Sequence, residues 1–246
     1  MFLNNGMESI NQNVSPTEFK TLYSQTFGGR FTPNLGPLKL AAAFYYQMGE
    51  VVNESTDLSA SYYALEANYP ASEKLLLSAG FEYLSGTSVK DKKMNPNEIK
   101  SFTPLYGTNH KFNGHMDYFY VGNHANNVGL IDIYSTLKYT DKKLSFFVTP
   151  HYFIAGTDVY KSIGTTSTTF ISGEYYKLDR ALGLEIDFGI SYAAQKNMSV
   201  QFGLSEMFGT ETLGFIQGYS SSNMHKKTGT WSYIMFIFNP SFFAAK

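Results

Sequence analysis

The sequence contains no cysteine, one tryptophan and only two arginines, Arg30 and Arg180. Without cysteine there are no disulfide staples, no thiol catalysis and no Cys-ligated zinc. The absence also suits an oxidising compartment, where stray thiols are a liability. Charge is scarce: 16% of residues are charged, against roughly 25% in an average soluble domain. The formal net charge of −1 excludes a wide electrostatic grip on nucleic acid. Long apolar runs are missing. The best candidate, Tyr233 to Phe238, falls far short of the roughly 18 residues of a membrane helix. The opening MFLNNGMESINQN lacks the basic and apolar regions of a signal peptide. P-loop, dinucleotide and EF-hand signatures are also absent.

What is abundant is aromatic and small. The 246 residues include 19 Tyr, 21 Phe and 21 Gly, a mixture that belongs to strands. The hydrophobic period is 2 along most of the chain. Leu38, Leu40, Ala42, Phe44, Tyr46 and Met48 fall on one face of a single strand. Leu182, Leu184, Ile186, Phe188, Ile190 and Tyr192 do the same, with Gly183, Glu185, Asp187 and Gly189 opposite. Nine strands are predicted, at 19–31, 38–49, 58–69, 73–85, 128–140, 143–156, 180–194, 198–208 and 229–240, within one domain spanning 1–246.

The connections alternate in length. Short turns fall at TPNLGP, PASE, TDKK and AQKN. Long polar loops fall at Gly49–Asp57, Gly86–Asn127, Gly156–Asp179 and Gly209–Thr228. Short turns at one end and long loops at the other is the pattern of an antiparallel, up-and-down transmembrane β-barrel. The predicted strands exceed the roughly 9–11 residues that cross a bilayer when tilted, and soluble sandwich strands are nearer 5–6. Tyr46, Tyr69, Tyr83, Tyr139 and Tyr192 sit near strand ends, as an aromatic girdle requires. A soluble β-sandwich would alternate too, but it would bury the apolar face and expose the polar one.

The closing GTWSYIMFIFNPSFFAAK has the aromatic character of a terminal barrel strand. Counting back from it makes Asn4–Glu18 an extracellular loop and Met1–Leu3 the tip of a strand. Nine is odd, whereas bacterial single-chain barrels are even. The expectation is therefore the C-terminal portion of a larger barrel, with strands and a signal peptide missing upstream.

The Gly86–Asn127 loop carries PLYGTNHKFNGHMDYFYVGNHANNVGL. Tyr83-Leu84-Ser85-Gly86, the run Phe102 to His110, Lys111-Phe112 and Asp117-Tyr118-Phe119-Tyr120, with the KTGTWSYIMFIFNP ending, resemble the outer-membrane alginate export family. The resemblance implies a monomeric porin-like barrel of about 18 strands in the outer membrane of a Gram-negative bacterium. The best-known member of that family exports anionic polysaccharide through an arginine-lined pore. This chain departs there. The charges assigned to the lumen are mixed: Arg30, Lys39, Lys74 and Lys138 against Glu66, Glu82, Asp132, Glu185 and Asp187. A pore that selects polyanions needs a net basic lining.

The resulting expectation is a channel for passive passage or export of a hydrophilic solute, with a polysaccharide or oligosaccharide as first candidate. Its partners would be outer-membrane lipid, that solute and unidentified periplasmic export proteins. The alternative is a cell-surface β-rich glycan-binding or structural protein without transport. The long loop is expected to fold inward as a constriction. Tyr106, Asn109, Lys111, Phe112, Asp117 and Tyr118 would line it, either as packing or in direct solute contact. His110, His115 and His124 with Asp117 match no metal spacing, so no metal or cofactor is assigned. Glu185 and Asp187 share a face about 7 Å apart and read as lumen charges paired across strands. Ser205, Ser191 and His151 lack the context of a hydrolase triad, and no enzymatic activity is assigned.

Overall fold

A computed structural model describes residues 1–11, 18–51, 56–105, 113–119, 127–164, 167–219 and 228–239. The chain is all-β, and its main sheet is an antiparallel meander. The long strands are β1 (Phe2–Asn11), β2 (Glu18–Phe31), β4 (Leu38–Glu50), β5 (Asp57–Pro70) and β6 (Leu75–Leu84), then β8 (Leu130–Asp141), β9 (Leu144–Ile154), β12 (Ala181–Gln195), β13 (Met198–Gly209) and β14 (Thr228–Phe238). Each is hydrogen-bonded to its neighbours in chain order, from β1 through β14. No crossover interrupts that order, so the expected meander is present and the Greek-key sandwich is not. Two dipeptides add to the edges of this path. β3 (Asn34–Leu35) pairs with β4, and β7 (Glu98–Ile99) runs parallel to β5. A separate hairpin, β10 (Val159–Ser162) with β11 (Tyr175–Leu178), stands in the loop after β9. The helices are one turn and a half each: α1 (Val89–Met94) and α2 (Glu211–Ile216).

Two sequence expectations change. Asn4–Glu18 was predicted as a loop, yet Phe2–Asn11 is a strand that pairs with β2 over ten residues, from Phe2↔Phe27 to Asn11↔Glu18. Its polar residues carry no apolar face, so pairing with β2 organises it. Leu182 was grouped with the outward apolar set. The register of β12 on β9 slips between Ala181 and Gly183, and this bulge turns Leu182 into a buried cluster where it is 1% exposed.

All short turns lie at one end of the sheet. One is Gly36, whose φ of 61° suits a residue without a Cβ. The described parts of the polar loops lie at the other end, where they pack into a lid. Leu84, Phe102, Leu130, Phe153, Val159, Leu178, Leu182, Met207 and Leu213 form its core.

The sheet curls. Side chains from β2, β4, β5, β6, β8, β9 and β12 line one cleft of about 230 Å³, whereas a flat sheet would spread those seven strands over roughly 29 Å. Three cross-strand joints accompany the curl. Gly80 faces Tyr134, Gly189 faces Phe147 and Gly203 faces Tyr233. In each, a Cβ on the glycine would stand 2.1–2.2 Å from the ring, so the ring occupies the space that glycine leaves empty. β1 and β14 end the path; the sheet is open, not closed into a barrel.

Candidate functional site: an acid-lined wall held against a loop

The inner face of the curl is polar and the outer face apolar. On β12, Glu185 and Asp187 are 0% and 1% exposed, while Leu184, Ile186 and Phe188 alternate with them on the other side. The register carries this division to neighbouring strands. Glu82 lies opposite Asp132, Glu185 opposite His151, and Asp187 between Thr149 and Ser205. Arg30, Lys39, Glu66 and Lys138 lie on the same inner face, opposite Ala43, Asn68, Gly80 and Phe147. Lys74 instead sits in a short turn and pairs with Asp141 at 3.0 Å.

Hydrogen bonds tie the acids of this wall to their neighbours. His151 Nδ1 lies 3.0 and 2.9 Å from the two carboxylate oxygens of Asp132. Its Nε2 lies 3.7 Å from Asp187 Oδ2. The imidazole is stacked between Tyr134 and Phe153, at 5.2 and 5.6 Å, which fixes the ring plane. The Tyr62 hydroxyl donates to Glu82 Oε1. Glu66 accepts from the Tyr134 hydroxyl at 3.2 Å and from Asn68 Nδ2 at 2.7 Å. The cleft thus holds Glu66, Glu82, Asp132 and Asp187 against a single guanidinium, Arg30.

Residues 113–119 of the long loop lie on this wall. Asn113 Nδ2 donates to Glu82 Oε2 at 2.5 Å. The backbone N–H of His115 donates to Asp187 Oδ2 at 3.3 Å, and that of Met116 to Glu185 Oε1 at 2.9 Å. Two successive amides aimed at two carboxylates form a small anion-binding concavity. The local backbone makes it. Asn113, Gly114 and Asp117 have φ of 60°, 83° and 55°, values that favour Asn, Asp and Gly. At Gly114 a Cβ would come within 2.5–2.7 Å of the Glu185 carboxylate, so only glycine allows this approach. Phe119 packs on Phe153 at 4.4 Å. Phe102 packs on Tyr62 at 5.3 Å. The C-terminal end of the segment is therefore seated on β9.

Of the residues predicted to line the constriction, Asp117 and Tyr118 fall in this segment. Tyr118 approaches β14 near Gly229, and burial, with Tyr219 and Glu185 nearby, pushes its phenol up. Tyr106, Asn109, Lys111 and Phe112, like His110 and His124, lie outside the described residues. Among the described residues the segment is held by the His115 and Met116 amides, Asn113 and Phe119. His115 turns its ring edge to Phe147 at 5.7 Å. Among the described residues no cluster of three or more His, Asp and Glu side chains has metal-binding geometry. Among the described residues the Ser205 hydroxyl has no hydrogen-bond partner and His151 is engaged by Asp132, so no nucleophile–base contact of a triad is made there.

Tyr62, Tyr134 and His151 were not assigned to this wall from the sequence. Their signal was present. Tyr62, Ala64, Glu66 and Asn68 keep one parity, and Thr149, His151 and Phe153 another such row. Compared with known proteins, the chain matches no protein-family model and no curated protein.

Proposed function

We propose that this chain forms part of the wall of an outer-membrane β-barrel channel, narrowed by the inward-folded 113–119 segment. The observation that carries this reading is the inverted polarity of the sheet. Its inner face buries Asp132, His151, Glu185 and Asp187, while its outer face presents Phe27, Phe44, Leu65, Ile133, Tyr152, Leu204 and Ile234, with Leu65 59% and Ile234 66% exposed. In water that arrangement would be unfavourable over a contiguous area this large; in lipid it is the required one. The outer tyrosines support it. Tyr69, Tyr139 and Tyr192 lie at the turn end, and Tyr46, Tyr83 and Tyr152 at the loop end. These are the two levels at which aromatic girdles meet the lipid headgroups. On β12 the apolar row from Leu184 to Tyr192 measures about 26 Å along the strand, comparable with the roughly 25 Å apolar band of such barrels.

A barrel in lipid has no free edges, so closure requires further strands between β14 and β1, as the resemblance to the about 18-stranded export barrels implies. The acid-rich wall favours neutral or cationic hydrophilic solutes over polyanions. Conductance across planar bilayers tests the reading. Deleting Phe102 to Tyr120 from the folded protein should raise single-channel conductance and weaken solute discrimination. Absence of channels from correctly folded protein would favour a glycan-binding or structural role instead. Unchanged conductance in the deletion variant would place the loop outside the conducting path.

A further inference from the structure

Two of the aromatic–glycine joints lie in a single row. Phe147 on β9 is opposite Gly189 on β12, Gly189 is opposite Gly203 on β13, and Gly203 is opposite Tyr233 on β14. The two glycines are therefore adjacent. A Cβ on Gly189 would stand 2.2 Å from the Phe147 ring, and one on Gly203 2.1 Å from the Tyr233 ring. Each ring leans across its neighbouring strand toward the other. Trp231 extends the aromatic surface along β14, its ring centroid 5.1 Å from that of Tyr233.

Parity places this row on the inner face, where Gly189 stands two residues after Asp187. The next inner row toward the turns is polar and uncharged: Ser145 is opposite Ser191, and Ser191 is opposite Gln201. Both rings, both serines and Gln201 line a cleft of about 350 Å³ with Lys138. Phe147 and Tyr233 are only partly buried, so part of each ring faces that space. The cleft lies beside the 113–119 segment, whose His115 turns its ring edge to Phe147 at 5.7 Å. One ring over one glycine is a device for bending a sheet. Two rings converging beside an open cleft and a polar row exceed what curvature requires.

A ligand for this cleft must offer an apolar face to the rings and hydrogen-bonding groups at its edge. The serine hydroxyls can donate and accept, and the Gln201 amide brings two donors and an acceptor. A sugar ring meets both demands. Its C–H faces pack on aromatic rings through weak contacts, and its hydroxyls surround the edge. Charge is not called for. Lys138 is the one charged residue lining the cleft, Asp187 is the next inner residue above Gly189, and their opposite fields offset. The row from β9 to β14 crosses three strand spacings, about 14 Å, which is longer than one sugar ring.

We propose that Phe147, Tyr233, Ser191 and Gln201 form a subsite for uncharged oligosaccharide on the inner wall, on the turn side of the 113–119 segment. The rings carry the sugar faces, and the polar row takes their hydroxyls. This deepens the channel reading and rests on it for one point, that the inner face meets water and not lipid.

The test titrates cellohexaose into the full folded chain in detergent, read by calorimetry and by the emission of the sole tryptophan, Trp231. Binding should saturate and shift that emission. Phe147→Ala and Tyr233→Ala should each weaken binding about 3–10-fold, the scale of an aromatic contact. Gln201→Ala should weaken it about 2–10-fold, the scale of a hydrogen bond. Phe44→Ala, on the outer face, should leave it unchanged. A hexamer of galacturonic acid should bind more weakly than cellohexaose. If a ring variant fails to fold, Ser191→Ala and Gln201→Ala, which keep both rings, must still weaken binding. The proposal is overturned by folded protein that binds no cellohexaose, by a preference for the galacturonate, or by binding that the ring variants, or the two polar variants in their place, leave unchanged. Single-channel recording separates the subsite from the reading beneath it. Folded protein that conducts but binds no cellohexaose loses the subsite and keeps the channel. Protein that binds as described but does not conduct keeps the subsite and loses the channel.

Discussion

Along β12, Ile186 and Asp187 are adjacent in sequence and lie in opposite environments. Ile186 belongs to a row of apolar side chains that no described strand or loop packs over. Asp187 is 1% exposed and holds a loop amide. In a soluble sheet the apolar row would be the buried one and the polar row would meet water. Here the ordering force on the inner face is hydrogen bonding and ion pairing. The outer face makes aromatic and aliphatic cross-strand contacts such as Phe44 with Tyr63 at 5.2 Å and Tyr139 with Phe146 at 5.3 Å. The contrast teaches that alternation alone says two faces differ. Which of them meets the solvent is decided by what covers the polar one.

The sharpest way to break the contrast is to charge the outer face. Ile186→Lys should destabilise the lipid-inserted protein by about 2–4 kcal/mol if that position lies near the bilayer midplane, read by denaturant titration in vesicles. Tolerance of that variant would invert the assigned faces. A smaller effect is expected on the inner face at Gly114. Gly114→Ala meets both a left-handed φ and the Glu185 carboxylate. Strain of this kind costs about 1–3 kcal/mol, and it should release the segment from the wall, seen as faster protease cleavage near residues 113–119. Unchanged cleavage would mean that the amide contacts do not hold the segment.

The lid allows a finer test. Ser88 caps α1, accepting from the Asp91 N–H at 3.0 Å, while Asp91 accepts from the Ser88 N–H at 3.0 Å and from Lys100 at 3.0 Å. Burial raises the Asp91 pKa, but the Ser88 bonds and Lys100 outweigh it, and the carboxyl stays below its usual range. A carboxyl depressed in the folded state stabilises that state above its unfolded pKa of about 3.9 and loses the contribution as pH falls through the lower folded value. The start of α1 should therefore hold at neutral and mildly acid pH and exchange amide hydrogens faster only in stronger acid. Ser88→Ala should cost about 1 kcal/mol. Smallest of all is the turn end, where Lys74→Ala removes an exposed pair with Asp141 and should leave the unfolding midpoint unchanged.

Most of the meander was legible because its signal is local. Strands β4 and β12 alternate over six apolar positions each, and the turns between strands carry Pro, Asn, Asp or Lys. Phe2–Asn11 was not legible, because FLNNGMESIN keeps no apolar face and gains its order from ten pairs with β2. Leu182 was misplaced because a bulge is a property of two strands, invisible in one. The charges of the inner face followed from parity. Their company did not, since Tyr62 reaches Glu82 across 20 residues and Asn113 reaches it across 31. The Gly80–Tyr134, Gly189–Phe147 and Gly203–Tyr233 joints are unreadable for the same reason, being matters of register.

The acceptors that seat the 113–119 segment lie 72 and 69 residues beyond their donors, on β12. Because the strands neighbour one another in chain order, the sheet can grow by adding one strand at a time to its free edge. The segment leaves the sheet after β6, but the carboxylates that receive its two backbone amides join only with the addition of β12. During assembly the segment can meet Glu82 through Asn113, but its two backbone amides must wait without these acceptors while three further strands are laid down. The interior is open throughout that interval and is filled in a late step. A slow kinetic phase that follows strand formation, and that vanishes when Glu185 and Asp187 are replaced, would be its record in time.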